Sequence, residues 1–372
     1  MKKRTKAEEI RIKAKKDRDL ILEKAILCWQ ESLTPEEQVA VLNEVVLTRG
    51  KELRLAYPDI MALGHGVRTV TMRGKRKILD EQCVVFMVRR KWDSEPKTMQ
   101  KRARRLPGHL MAYCSTRTGR QMCAIPTNVE SGHRYKKVKP HRQYVIARNP
   151  PITAQQGVFC CAVRIPGIAA EFGLSCHHVL AMSTQTNPPG SPASGAQVSP
   201  AGSQASMGAL SAMGQLVPDS EVVSIDAALA RIADMGAFAL AIGGNPTTFW
   251  DRSSTINQCW VQCPPPGSVS ELGAPTGTVS ANYVNTFFDY SGITYFKSGT
   301  QPCQKVVIEL QFNSSPSPKA GDSGSPVVDQ NGMLLGMYIA GSDDGTLGFM
   351  LPADVLMSGV NYGLNVDLIL SP

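Results

Sequence analysis

The segment Lys319–Val328 reads KAGDSGSPVV and places Ser323 in a run of Gly, Asp, Ser and Pro. These residue types build turns, so Ser323 is either a nucleophile displayed on a tight turn or a polar residue between two strands. A serine hydroxyl attacks only when a base takes its proton, an acid fixes the base's tautomer and backbone donors await the oxyanion. Residues 151–372 contain two histidines, His177 and His178, adjacent in LSCHHVLAM. Either is a candidate base. Asp226 lies in VVSIDAALARI, an apolar, strand-like stretch where a carboxylate with no partner would be costly. Asp219 and Asp234 are alternatives in more turn-like surroundings. The chain order is His, Asp, Ser.

These three segments together resemble the motifs of chymotrypsin-fold (trypsin-like) serine peptidases, over residues 155–370. SCHHV is similar to that family's small-x-x-His-hydrophobic motif, which implies His178 as the base because Val179 follows it. DAALARI is similar to its Asp-x-Ala-Leu motif and implies Asp226 as the orienting acid. GDSGSP resembles the nucleophile motif and implies Ser323 as the attacking group, with the N–H groups of Gly321 and Ser323 as the oxyanion hole. Asp322 would then shape that loop rather than act as an acid. GMYIAGS would line the primary specificity pocket with Ile339, Ala340 and Gly341, and Ser317 falls at the pocket floor. The resemblance implies a mainly β fold of two six-stranded antiparallel barrels. It implies hydrolysis of protein or peptide substrates with no cofactor.

The chain departs from secreted members of that family at two informative positions. Val179 and Lys319 stand where those members often carry half-cystines. No acidic residue marks the pocket floor, which argues against cleavage after Arg or Lys and for a small or apolar residue before the scissile bond. A second resemblance is to an intracellular group of trypsin-like peptidases that includes the plant narrow-leaf-type proteins. It is carried by GHGVRTVTMRGKRKILDEQCVVFMVRRKW and by GDSGSPVVDQNGMLLGMYIAGS. It implies regulated rather than digestive proteolysis.

Charge divides the chain that must position these residues. Residues 1–150 carry 34 Lys/Arg against 16 Asp/Glu, a balance of +18, whereas residues 151–372 carry 6 against 15, a balance of −9. So sharp a change marks a domain boundary near residue 150. The expected order is a helical arm (1–50), a small basic α/β domain (51–135), a basic linker (136–151) and the protease-like domain (152–372).

Residues 5–31 favour helix, with an apolar stripe of Ile10, Ala14, Leu20, Ile21 and Leu27. A second helix opens at Thr34, with Pro35 in the first position and Glu37 completing a capping box. From residue 152 onward, short β-prone runs separated by Gly, Pro and Asn favour an antiparallel barrel or sandwich. Residues 185–211 read as a Pro/Gly/Ser-rich surface insertion.

Opposite charges on the two halves allow residues 1–150 to dock on residues 152–372, and the basic clusters could instead meet nucleic acid or another polyanion. No zinc-finger, RNA-recognition or helix-turn-helix pattern supports nucleic acid. No export signal and no membrane-spanning run are visible, so the ten cysteines are expected as thiols in a cytoplasmic chain. Cys259 and Cys263 make a C-x3-C half-site with no matching second pair, and no metal is expected. Two function classes follow: an intracellular serine endopeptidase regulated by its basic N-terminal region, or a catalytically silent binding protein on the same fold.

Overall fold

A computed structural model describes residues 6–72, 75–88, 106–117, 119–131, 135–137, 144–147, 155–180, 197–200, 208–213, 223–233, 245–263, 277–290, 292–294, 303–313, 317–318, 322–342 and 344–372. They fall into two compact units, Met1–Ser131 and Gly132–Pro372.

The first unit holds α1 (Lys6–Glu31), α2 (Pro35–Ala56), β1 (Ile60–Met72), β2 (Lys75–Val88), β3 (His109–Thr116) and β4 (Gly119–Ser131). Thr34 caps α2 as the sequence predicts. Its hydroxyl accepts from the Glu37 N–H at 3.3 Å, and the Glu37 carboxylate accepts from the Thr34 N–H at 2.7 Å. β1 and β2 pair antiparallel, β2 and β4 parallel, and β3 and β4 antiparallel. The run Cys83–Val88 is fully buried, as a central strand with covered faces requires.

α2 continues past residue 50 to Ala56 and packs on β1. A Cβ at Gly50 would sit 3.5 Å from Leu63, and Asn43 Oδ1 lies 2.9 Å from His65 Nε2. α1 corrects one expectation. Leu20, Ile21 and Leu27 are exposed, while Ala25, Cys28 and Trp29 are buried. The last turns of α1 meet the sheet, where Cys28 Sγ lies 3.3 Å from Cys123 Sγ of β4. The buried face is therefore set by the docking site at the helix end and not by the longest apolar stripe.

The second unit contains β5 (Tyr135–Lys137), β6 (Tyr144–Ala147), β7 (Gln155–Gly157), β8 (Cys161–Arg164), β9 (Glu171–Ser175), α3 (His177–Leu180), β10 (Gln197–Pro200) and β11 (Gly208–Met213). There follow β12 (Val223–Ser224), β13 (Ala228–Ile232), β14 (Gln258–Cys263), β15 (Gly277–Tyr290), β16 (Ile293–Thr294) and β17 (Cys303–Phe312). The chain ends with β18 (Pro326–Val328), β19 (Leu334–Ser342), β20 (Leu347–Pro352), α4 (Ala353–Met357), a 3-10 turn (Gly359–Tyr362) and β21 (Ile369–Leu370).

One sheet runs β21-β8-β9-β13-β11-β10-β6-β7. It has eight strands rather than six because β6 and β7 extend it beyond β10. β6 and all but the first residue of β5 lie within the stretch 136–151 expected as linker, and β10 lies within the expected insertion. Short β-prone runs such as Tyr144–Ala147 find partners there despite the surrounding basic and Pro-rich sequence.

The other sheet returns on itself. β14 pairs β15, β15 pairs β17, β17 pairs β20, β20 pairs β19, β19 pairs β18 and β18 pairs β14, all antiparallel. Its interior is filled by Cys259, Val261, Val279, Ile308, Leu310, Val327, Leu335 and Tyr338. Nearby, Phe287, Tyr290 and Phe349 pack as an aromatic trio, with Tyr290 and Phe349 centroids 4.9 Å apart. Cys259 and Cys263 belong to this apolar interior, and burial pushes the Cys259 thiol up to about 12. Every cysteine is a buried free thiol. Among the described residues, no helix is long and apolar enough to cross a membrane.

Close packing makes one glycine of β19 testable. A Cβ at Gly336 would lie 2.2 Å from the Leu351 carbonyl oxygen on β20, a ladder partner that cannot step aside. Gly336→Ala should destabilise the protein by about 1–3 kcal/mol, the usual cost of overpacking. A urea midpoint equal to that of the parent would refute this.

Candidate active site

The loop after β12 carries Asp226 from one sheet of the second unit to the other. β12 pairs parallel with the start of β17, and β13 begins two residues after Asp226 in the eight-stranded sheet. Residues 225–230 are all buried. The carboxylate therefore needs donors, and His178 supplies two. The backbone N–H of His178 donates to Asp226 Oδ1 at 2.9 Å, and His178 Nδ1 lies 2.6 Å from Asp226 Oδ2. This bond assigns the Nδ1–H tautomer to the ring and leaves Nε2 as its basic nitrogen.

Burial alone would raise the Asp226 pKa. The adjacent His178, through its charge and both hydrogen bonds, holds it below the ordinary aspartate value instead. Gln304, fully buried at the start of β17, accepts the Asp226 N–H through Oε1 at 2.9 Å. It is a positioning residue that the sequence did not disclose. A fully buried polar side chain at a strand start is a signal, but its partner is 78 residues away.

The two adjacent histidines are not equivalent. His177 is buried, and burial first, then the neighbouring His178, lower its pKa to about 4 despite the nearby Asp226. Among the described residues its Nδ1 has no hydrogen-bond partner. It is a neutral packed ring. Asp234 and Asp219 lie outside the described residues.

Ser323 sits in a turn that packs against the histidine turn. Gly324 has φ +100°, a region costly for any residue with a Cβ, and an added Cβ there would lie 2.0 Å from the Val158 carbonyl oxygen and 2.8 Å from Ser175 Oγ. Ser175 is three residues before His178, so this glycine brings the two segments together. Ser175 Oγ donates to Val158 O at 2.5 Å, and Cys176 Sγ lies 3.6 Å from Tyr338 O.

On the other side the turn is tied to β19. Gly324 N–H donates to Tyr338 O at 2.8 Å and Tyr338 N–H donates to Ser325 O at 2.9 Å. The Ser323 hydroxyl donates to Ile339 O at 3.0 Å. A bulge makes this bond possible. Ile339 is skipped in the β19–β20 register, between Tyr338↔Met350 and Ala340↔Phe349. Asp322, Ser323 and Ser325 have no exposed surface.

Gly321 lies outside the described residues, so half of the expected oxyanion hole does too. Ile339 and Ala340 are buried and Gly341 is half-buried. A Cβ at Gly341 would lie 2.4 Å from the Tyr338 hydroxyl, so that glycine makes room for the ring beneath it. Ser317 packs against the turn after β19, with its Oγ 2.5 Å from where a Cβ of Gly345 would be. Cys176, His178 and Asp226 offer ligand atoms within 4.8 Å of one another. Burial and then the Asp226 charge push the Cys176 thiol well above its ordinary value.

No protein-family model matches the chain, and no curated protein matches its sequence. Among solved structures it is similar to the Rv3671c protease of M. tuberculosis in its active form. That match is 15% identical, covers 62% of this chain and 84% of the other, and has a TM-score of 0.35. An inactive form of the same protease matches with 15% identity, 59% and 88% coverage and a TM-score of 0.35. A serine-to-alanine mutant of it matches with 16% identity, 54% and 85% coverage and a TM-score of 0.32.

Two outcomes follow from the site. Gly324→Ala should separate the two turns and lose stability along with any reactivity of Ser323, which denaturation and active-site labelling together would register. His177 should make stability depend on pH. Its folded pKa of about 4 lies below the unfolded value, so the unfolded chain binds the proton first on acidification. The stabilisation is complete above about pH 6.5 and is lost as pH falls toward 4, by about 3 kcal/mol. His177→Phe should flatten that part of the urea-stability profile, and an unchanged slope would count against the assignment.

Proposed function

We propose that the chain is a serine endopeptidase of the chymotrypsin-like, two-barrel fold acting on protein or peptide substrates. The observation that carries this reading is the buried Asp226 carboxylate accepting both the backbone and the ring N–H of His178, beside the turn that presents Ser323. An acid that fixes the tautomer, a base whose Nε2 then carries the acceptor lone pair and a serine on a tight turn are what acyl transfer needs.

In the proposed reaction the Ser323 hydroxyl leaves Ile339 O and passes its proton to His178 Nε2 while Oγ attacks the substrate carbonyl. The N–H groups of Gly321 and Ser323 receive the oxyanion. Asp226 stabilises the imidazolium that forms. The base then protonates the leaving amine, and a water activated by His178 releases the acyl group. Ser317, Ile339, Ala340 and Gly341 are proposed to line the pocket for the residue before the scissile bond, which is small or apolar. The basic residues 1–150 are proposed to regulate the enzyme, and the chain to work in the cytoplasm.

Labelling with a fluorophosphonate probe tests the reading. Full-length parent protein should label and Ser323→Ala should not, while Ser323→Ala and His178→Ala should each lower peptide hydrolysis by about 10⁴- to 10⁶-fold. A folded chain that never labels, whether whole or with residues 1–131 removed, would favour a silent binding protein on the same fold.

A further inference from the structure

β19 offers two edges, and its pairing partners divide between them. β20 covers residues 336–341 on one edge. Residues of β19 that pair β20 also pair β18 (Met337↔Pro326) or β5 (Ala340↔Lys137, Gly341↔Lys136), so β18 and β5 share the opposite edge. Read along that edge, β18 is followed by the Ser325 and Gly324 bonds to Tyr338, then by the Ser323 hydroxyl on Ile339 O, then by β5. The ladder is continuous, and Ser323 occupies the gap between two strands.

β5 runs antiparallel to β19, so its last residue, Lys137, is the one nearest Ser323 along the ladder. On its far side β5 pairs parallel with β16 (Ile293↔Tyr135, Thr294↔Lys136). A three-residue strand is thus held between two others, at the position where an extended peptide would add to the sheet on its way to Ser323. Strand addition of this kind uses main-chain bonds, which any sequence can supply, so the edge cannot hold β5 and a second chain together. Ser323 is also fully buried, with its proton directed at Ile339 O.

We propose that Tyr135–Lys137 is a built-in occupant of the peptide-docking edge of β19, and that substrate must displace it to reach Ser323. This rests on the reading of Ser323 as a nucleophile. A strand of three residues suits displacement, because it forms few ladder bonds and carries two lysines, a residue type that disfavours stable edge pairing.

The test uses the full chain and two variants. Lys136→Pro removes a ladder donor, and a triple variant with Tyr135→Gly, Lys136→Gly and Lys137→Gly guards against a proline-specific folding defect. Hydrogen exchange at residues 340–342 reads docking of β5 whether or not Ser323 reacts. The fluorophosphonate labelling rate reads access. We expect faster exchange at 340–342 and labelling at least about tenfold faster, which means the open form is at most about a tenth populated in the parent. A synthetic peptide of residues 132–140 should slow the variants again. Unchanged exchange at 340–342, or faster exchange with the parent's labelling rate, overturns the proposal while leaving the serine-peptidase reading intact. Faster exchange with no labelling in any protein instead overturns that reading, and the plug with it. Purified chains cut after Lys137 would make the segment a substrate rather than a plug, which also overturns it.

Discussion

A carboxylate stripped of water is the constraint around which the second unit is organised. Asp226 has no exposed surface, and a lone buried charge would titrate or unfold the region. Its carboxylate is kept by the ring and backbone N–H of His178, and Gln304 holds its backbone N–H, so two residues from distant parts of the chain fix it. Each comes from a segment whose place is set by a sheet. α3 follows β9 after one residue, and Gln304 is the second residue of β17. The pair His178–Asp226 therefore forms only when both sheets are in register, which ties folding of the unit to assembly of the site. The same neighbourhood keeps His177 uncharged, since burial disfavours a cation there.

The next requirement is that the serine turn reach this pair, and here backbone space decides. Gly324 fits at φ +100° with the Val158 carbonyl where its Cβ would be. No other residue allows the approach. On its outer side the turn is held by Tyr338 and Ile339, so its position depends on the bulge that takes Ile339 out of the β20 ladder. The glycines Gly341 and Gly348 belong to the same device, because both leave room for the Tyr338 ring. A ring locked below β19 fixes the strand, the strand fixes the turn, and the turn fixes Ser323.

Local rules were legible where local chemistry decides. Thr34, Pro35 and Glu37 fix the start of α2 because capping involves four successive residues. Asp226 stood out because a charge in an apolar run needs an explanation, and its neighbours in space supply one. The choice between His177 and His178 did not follow from residue type. The one-residue offset puts only the second ring on the Asp226 carboxylate, which is a matter of three-dimensional direction. Gln304 was illegible for the same reason, since its role depends on β12 lying beside β17. Leu20, Ile21 and Leu27 of the apolar stripe expected on α1 stay exposed because the helix docks through Ala25, Cys28 and Trp29 instead. β5 and β6 hid in basic, Pro-flanked sequence because short strands owe their existence to partners and not to propensity.

That last point bears on how the edge of β19 works. A strand with weak intrinsic preference forms only while its neighbours hold it, so β5 is stable to the extent that β16 and residues 340–342 of β19 stay in place. Those β19 residues follow directly on the Ile339 bulge that positions Ser323. Any change that straightens the bulge would loosen the serine turn and the docked strand at once. Conversely, a chain that replaces β5 with better main-chain bonds would tighten the edge and steady the Ile339 carbonyl beside Ser323. Occupancy of the edge and readiness of the serine are then coupled through one backbone irregularity, with no need for a longer path between them.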